Sequence, residues 1–159
     1  MPKTLYIICF TLLALVLYSC QQGEIYYQYK EPLNAEWSKT DTLIFDIDST
    51  SFDVNVPYNI SIEVTNNVNY PYQNIWFLVQ SNIDNDSTFT HIEKEYLLAD
   101  EFGKWKGSGF GSLYQTSLSL DKATVFKEKR NYRIKIEQGM RDEPLTGIEK
   151  VGIRISKQD

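Results

Sequence analysis

Histidine is nearly missing from this chain. Only His91 stands among 159 residues, which excludes a zinc site built from several histidines and an H-E-x-x-H metalloprotease. Cysteine is almost as scarce: Cys9 and Cys20 are the only two. Both lie within the first twenty residues, so the rest of the chain has no thiol for catalysis or a disulfide. Basic charge is short as well. Lys and Arg total 16 against 21 Asp and Glu, a net charge of −5. Nucleic acid is no expected partner, because neutralising phosphates needs a basic footprint. No segment sustains a capped 3.6-residue apolar period, and only 121–129 suits a short helical turn.

What is present in quantity is aromatic and apolar. Aromatics make up 14% of the chain, with 11 Tyr, 8 Phe and 3 Trp, a composition that favours β-structure and contact faces. The longest apolar run is Leu5–Tyr18, LYIICFTLLALVLY. It is too short for a comfortable membrane span and suits the core of a signal peptide. It ends at Leu17-Tyr18-Ser19-Cys20, a leucine three before a cysteine and a small residue directly before it. That pattern resembles a bacterial lipobox. It implies diacylglycerol transfer to the Cys20 thiol, cleavage before Cys20 and acylation of the new amine. The competing reading is an ordinary secretory signal. Several acyl chains anchor far more firmly than one, since each buried methylene contributes about 0.8 kcal/mol. Three regions are expected: a signal peptide at 1–19, a lipidated tether and lead-in at 20–40, and a domain at 41–159.

The domain reads as strands. Ile60, Ile62 and Val64 alternate with Ser61, Glu63 and Thr65; Tyr132, Ile134 and Ile136 alternate with Arg133 and Lys135; Val151, Ile153 and Ile155 alternate with Gly152 and Arg154. Residues 42–47, 88–98 and 113–120 are also β-prone. Ile75–Val79 is continuously apolar, as in a strand covered on both faces. Short strands joined by Gly, Asn and Asp turns predict an all-β fold, a jelly-roll-like antiparallel sandwich of about seven to nine strands. The last two alternating runs, 132–138 and 148–156, are expected to pair as a hairpin with Ile134, Ile136, Val151, Ile153 and Ile155 buried.

Candidate chemistry is thin, and no cofactor motif is legible. Gly103-Lys104-Trp105-Lys106-Gly107-Ser108-Gly109-Phe110-Gly111 lacks the spacing and the following helix of a phosphate loop. It reads as a tight connection. Asn82–Asp86 with Glu93 has some of the oxygen spacing of a calcium loop, but Ser87 replaces the glycine, so a solvated hairpin turn is preferred. His91 reads as a surface or packed residue. Tyr70-Pro71-Tyr72, followed by Trp76, is more informative. Proline forces a turn there, and the tyrosines either stack on a ligand or plug the end of the sandwich. Arg141 sits in the connection after 132–138. Its planar fork either holds a carboxylate or loop carbonyls, the preferred role, or meets a partner.

These residues resemble the GldH family of gliding-motility lipoproteins from Bacteroidetes. The matching features are the lipobox at Cys20, 70–76 (YPYQNIW), Asp100 with 103–109 (GKWKGSG), 138–141 (QGMR) and 145–152 (LTGIEKVG). The resemblance implies a non-enzymatic envelope lipoprotein tied to gliding and its secretion machinery. Tyr70, Tyr72, Trp76, Trp105 and Arg141 are the candidate partner-contact residues. Surface-exported lipoproteins of that phylum resemble one another in an acidic run after the cysteine. Gln21-Gln22-Gly23-Glu24 lacks one, which favours a membrane anchor facing the periplasm. Asp41-Thr42-Leu43, Asp48-Ser49-Thr50 and Asp86-Ser87-Thr88 resemble O-glycosylation acceptors of the phylum, although plain turn chemistry explains them too. Three functions stay open. They are an envelope interaction component, a carbohydrate-binding sandwich using the same aromatics, and a hydrolase; the first is preferred.

Overall fold

The computed structural model describes residues 23–158. Eleven strands form two antiparallel sheets and a short ribbon. The first sheet is ordered β1(Glu24–Lys30), β11(Ile148–Lys157), β4(Pro57–Asn67), β8(Leu113–Val125), β7(Ser108–Phe110). The second is ordered β3(Leu43–Ile47), β9(Tyr132–Gln138), β5(Asn74–Ser81), β6(Thr90–Leu97). β2(Glu36–Trp37) pairs with β10(Leu145–Thr146). The all-β sandwich is as expected. The strands beyond seven to nine are the two- and three-residue pieces β2, β7 and β10, too short to leave a periodic signature.

Alternation explains how the sheets face each other. Ile60, Ile62 and Val64 of β4 and Val151, Ile153 and Ile155 of β11 point into the same core as Phe45, Ile75, Phe77, Ile134 and Ile136 of the second sheet. Completely buried aliphatic side chains of this kind stabilise by about 1.5–3 kcal/mol each. The open side between β6 and β8 is closed by polar reach. Lys94 Nζ donates to the Ser119 and Leu120 carbonyls, and Tyr96 Oη donates to Ser119. One end of the sandwich is sealed by Phe52, Tyr58, Phe126 and Tyr132, whose rings pack at 4.4–5.6 Å between centroids.

The structure corrects several expectations. β9 and β11 do not pair. β9 lies between β3 and β5, and β11 between β1 and β4. All five named side chains are buried as expected, but from opposite sheets. The period of two reports which face turns inward and not which strand lies alongside. The connection between them crosses the end of the sandwich, burying Met140 and Leu145 and pairing β10 with β2 on the way. Residues 121–125 form strand, not a helical turn. Ala123 has φ 61°, and the Asp121 carboxylate accepts from Thr124 Oγ1. β5 is covered on one face only: Ile75, Phe77 and Val79 are buried, whereas Trp76 is 38% exposed. Within the lead-in segment, β1 joins the first sheet and Trp37 is fully buried, its indole N–H donating to the Asp41 carbonyl. Among the described residues, strand of the sandwich is thus present from Glu24 onward.

Residues 82–89 form the β5–β6 hairpin connection. The Asn82 carbonyl accepts from Arg130, the Asn82 side-chain oxygen accepts from the Arg133 amide, and Asp86 pairs with Arg130. Both Asn82 oxygens and Asp86 of the would-be calcium loop thus meet arginines, the Asn85 side-chain oxygen accepts from the Ser87 amide, and Glu93 is on the β6 ladder opposite Leu78. His91 is exposed on the same strand.

Candidate interaction site

Among the described residues, the segments that carried the family resemblance meet at one end of the sandwich, opposite the Phe52 cluster. Tyr70 follows β4 and is buried; its hydroxyl donates to the Asn74 carbonyl at 2.8 Å. Tyr72 stands edge-on to it at 5.9 Å, and Trp105 packs on its other side at 6.3 Å. Trp105 continues to Tyr114 at 5.9 Å. The loop around Trp105 is tied down by its own backbone. The Lys106 amide donates to Leu98 O, and the Asp100 carboxylate accepts from the Phe102 and Lys104 amides. Gly103 and Gly111 take positive φ, 79° and 64°, as a tight connection needs.

The connection after β9 completes the end. The buried Gln138 side chain accepts from the Met140 amide and donates to the Asp142 carbonyl. The Gly139 amide donates to Trp76 O at 2.8 Å, and the Trp76 amide donates to Met140 Sδ at 3.3 Å. Glu143 accepts from Ser38 Oγ and the Lys39 amide, and these hydrogen bonds hold its carboxyl below the ordinary range. Burial pushes the Tyr70 phenol up, with Tyr72 and Asp142 adding to the effect. The Tyr72 phenol is raised first by its hydrogen bond to Asp142.

An open cleft of about 380 Å³ lies over this end, lined by Tyr72, Asn74, Trp76, Gly139, Met140 and Arg141. The five expected contact residues divide here. Trp76 and Arg141 are exposed and Tyr72 is half-buried in the cleft wall. Tyr70 and Trp105 are packing residues that support it from behind. The preferred structural role for Arg141 fails. Its guanidinium makes no hydrogen bond or ion pair among the described residues, and Glu143 and Gln138 fix the connection instead. Only the Arg141 carbonyl is used, accepting from Lys39 Nζ. Asn74, Gly139 and Met140 were missed as cleft residues; the sole sequence signal was their place inside the 70–76 and 138–141 segments. Cys20 lies outside the described residues. Among the described residues no helix is long and apolar enough to cross a membrane.

Comparison with known proteins follows the same segments. The profile of the "GldH lipoprotein" family matches residues 24–155. The chain is 31% identical to the gliding motility lipoprotein GldH of Flavobacterium johnsoniae, over 93% of this chain and 94% of that one. It is 28% identical to a GldH homolog of Christiangramia forsetii, over 98% and 96%. A carbohydrate-binding module specific for non-crystalline cellulose superposes with a TM-score of only 0.36 at 8% identity, over 79% of this chain and 83% of that one. That likeness is too slight to carry an argument. From the first strand to the last, this chain belongs to the GldH lipoprotein family.

Proposed function

We propose that the protein is a lipid-anchored, non-enzymatic component of the cell envelope that serves gliding motility and its secretion machinery by protein–protein contact. Acylated Cys20 is the anchor, the domain faces the periplasm, and the partner docks on Tyr72, Trp76 and Arg141. The observation that carries the docking site is the pairing of rigidity with exposure. Trp76 and Arg141 are left outside a loop set whose backbone is held by Gln138, Met140 and Glu143. Tryptophan and arginine are the residue types that most often anchor interfaces, and pre-organised side chains lose little entropy on binding. A sugar platform needs exposed rings side by side. Here Tyr70 and Trp105 are turned into the packing and Trp76 stands outside them, which favours a protein partner.

The test is a chromosomal exchange for Trp76→Ser with Arg141→Ala in the native organism. Loss of colony spreading and secretion, with protein level and acylation unchanged, supports the reading. Full spreading by the double variant overturns it. Binding of soluble glycans that disappears in the same variant would move the site to the carbohydrate reading.

A further inference from the structure

The outer face of the five-stranded sheet, the sheet that does not hold Trp76, carries a second aromatic group. Tyr27 and Tyr29 of β1 are 43% and 49% exposed, and Phe110 of β7 is 90% exposed. With Leu113 and Lys150 they line a shallow groove of about 270 Å³. The groove is built rather than accidental. Gln115 donates to the Tyr27 hydroxyl across the sheet, and Lys150 sits 4.5 Å from the Tyr29 ring centre. Its neighbouring carboxylates are neutralised: Glu63 pairs with Arg154 at 3.1 Å and Glu31 with Lys150 at 2.9 Å.

We propose that this face lies against the headgroup layer of the bilayer. The inference rests on the reading of Cys20 as the acylated residue. Between Cys20 and Glu24 stand Gln21, Gln22 and Gly23. At no more than about 3.6 Å per residue, Glu24 stays within about 14 Å of the anchor. β1 then rises about 3.3 Å per residue, so Tyr27 and Tyr29 follow within the next two turns of the pleat. Tyrosine is favoured at the membrane interface, where the ring is apolar and the hydroxyl wet. The alternative posture stands the sandwich on its Glu24 end. It leaves Phe110 stranded in water, because Phe110 pairs with Leu113, whose partner Asn67 marks the far end of β4. Charge does not choose between postures. The Glu24 end mixes Lys122, Lys127 and Lys157 with Asp53, Asp84 and Glu128. The flat posture turns Trp76, on the outer face of the other sheet, away from the lipid.

The experiment is depth-dependent quenching of the full acylated protein in vesicles of phosphatidylethanolamine and phosphatidylglycerol containing brominated lipid. Acylation blocks the Cys20 thiol, so one introduced cysteine takes a single fluorophore. Ser108→Cys reports on the groove, Glu93→Cys on the opposite sheet and Lys127→Cys on the Glu24 end. The proposal expects the label at 108 to be quenched several-fold more than the other two, with little dependence on salt. Adding Phe110→Ser, a change at an almost fully exposed side chain, should cut that quenching at least two-fold. Strongest quenching at 127 would mean the sandwich stands on end, and equal quenching would mean no fixed posture; either overturns the proposal. The mass of the mature N-terminus is measured first. A chain without acyl groups sinks the anchor reading, and the proposal with it, before any vesicle is made.

Discussion

Gly147 lies against Tyr70 so closely that a β-carbon at position 147 would stand 2.6 Å from Tyr70 Cα. Gly147 is also held through the main chain, and only indirectly to Tyr70: the Asn67 amide donates to Gly147 O, the Gly147 amide donates to Ala35 O, and the Tyr70 amide donates to Asn67 O. Gly147 has φ +88°. Gly147→Ala must therefore strain the backbone, at about 1–3 kcal/mol, and also push the Tyr70 turn away. Gly103→Ala is the control, since Gly103 has φ +79° with nothing within 4 Å. Thermal melts should show the larger loss at 147. Equal losses would mean that the Tyr70 contact is slack.

Ile153 is fully buried in the inter-sheet core. Ile153→Ala should cost about 2–5 kcal/mol through lost transfer energy and a residual cavity, read as a lowered denaturation midpoint. The cost follows from burial alone, and it would have been the same had β9 and β11 been neighbours. A midpoint shift near zero would contradict the packing of β11 against the second sheet.

That case shows what the sequence made legible. Alternation in 58–66, 132–136 and 151–155 identified the inward side chains because the pleat has a period of two. It held no information on strand neighbours, which depend on the long connection through Met140 and Leu145. The apolar run at 75–79 suggested two covered faces because Trp76 and Leu78 are as apolar as Ile75 and Phe77. Only the packing tells that Trp76 is left 38% exposed. The site was legible as segments. Tyr72, Trp76 and Arg141 were named, but Tyr70 and Trp105 proved to be support. The structural task expected of Arg141 belongs to Glu143 and Gln138, whose partners Ser38, Lys39 and Asp142 include residues roughly a hundred positions away.

Alkaline pH should ionise the shielded phenols of Tyr26, which is buried, and Tyr96, which is half-buried. Burial, then the Asp46 charge, lifts Tyr26 to about 12, and burial lifts Tyr96 to about 12. Folded-state values above the unfolded value of 10.0 give stability that is complete below pH 10. It is lost as pH rises toward 12, because the unfolded chain releases the protons more readily. Circular dichroism and phenolate absorbance should report unfolding and ionisation together in that window. Tyr26→Phe should move the unfolding midpoint upward. Ionisation of these phenols near pH 10 in a still-folded protein would contradict their shielding from water.

The anchor is tested by Cys20→Ala. Labelling with a radioactive fatty acid should be abolished, and the protein should leave the membrane fraction. A variant that remains with membranes through a carbonate wash would show that another element holds it there.

Arg141 and Trp76 give the most direct test of the account, because both are exposed in the cleft and neither belongs to the buried core. Arg141→Ala should change stability by no more than about 0.5 kcal/mol, as surface changes away from structural features do. The deciding measurement is quantitative co-purification from native envelopes, comparing the acylated protein with the Trp76→Ser, Arg141→Ala variant at equal abundance and equal melting temperature. The account predicts a defined set of envelope proteins with the unmodified chain and at least a ten-fold loss of that set with the variant. An unchanged set would contradict it and place the binding face elsewhere on the sandwich.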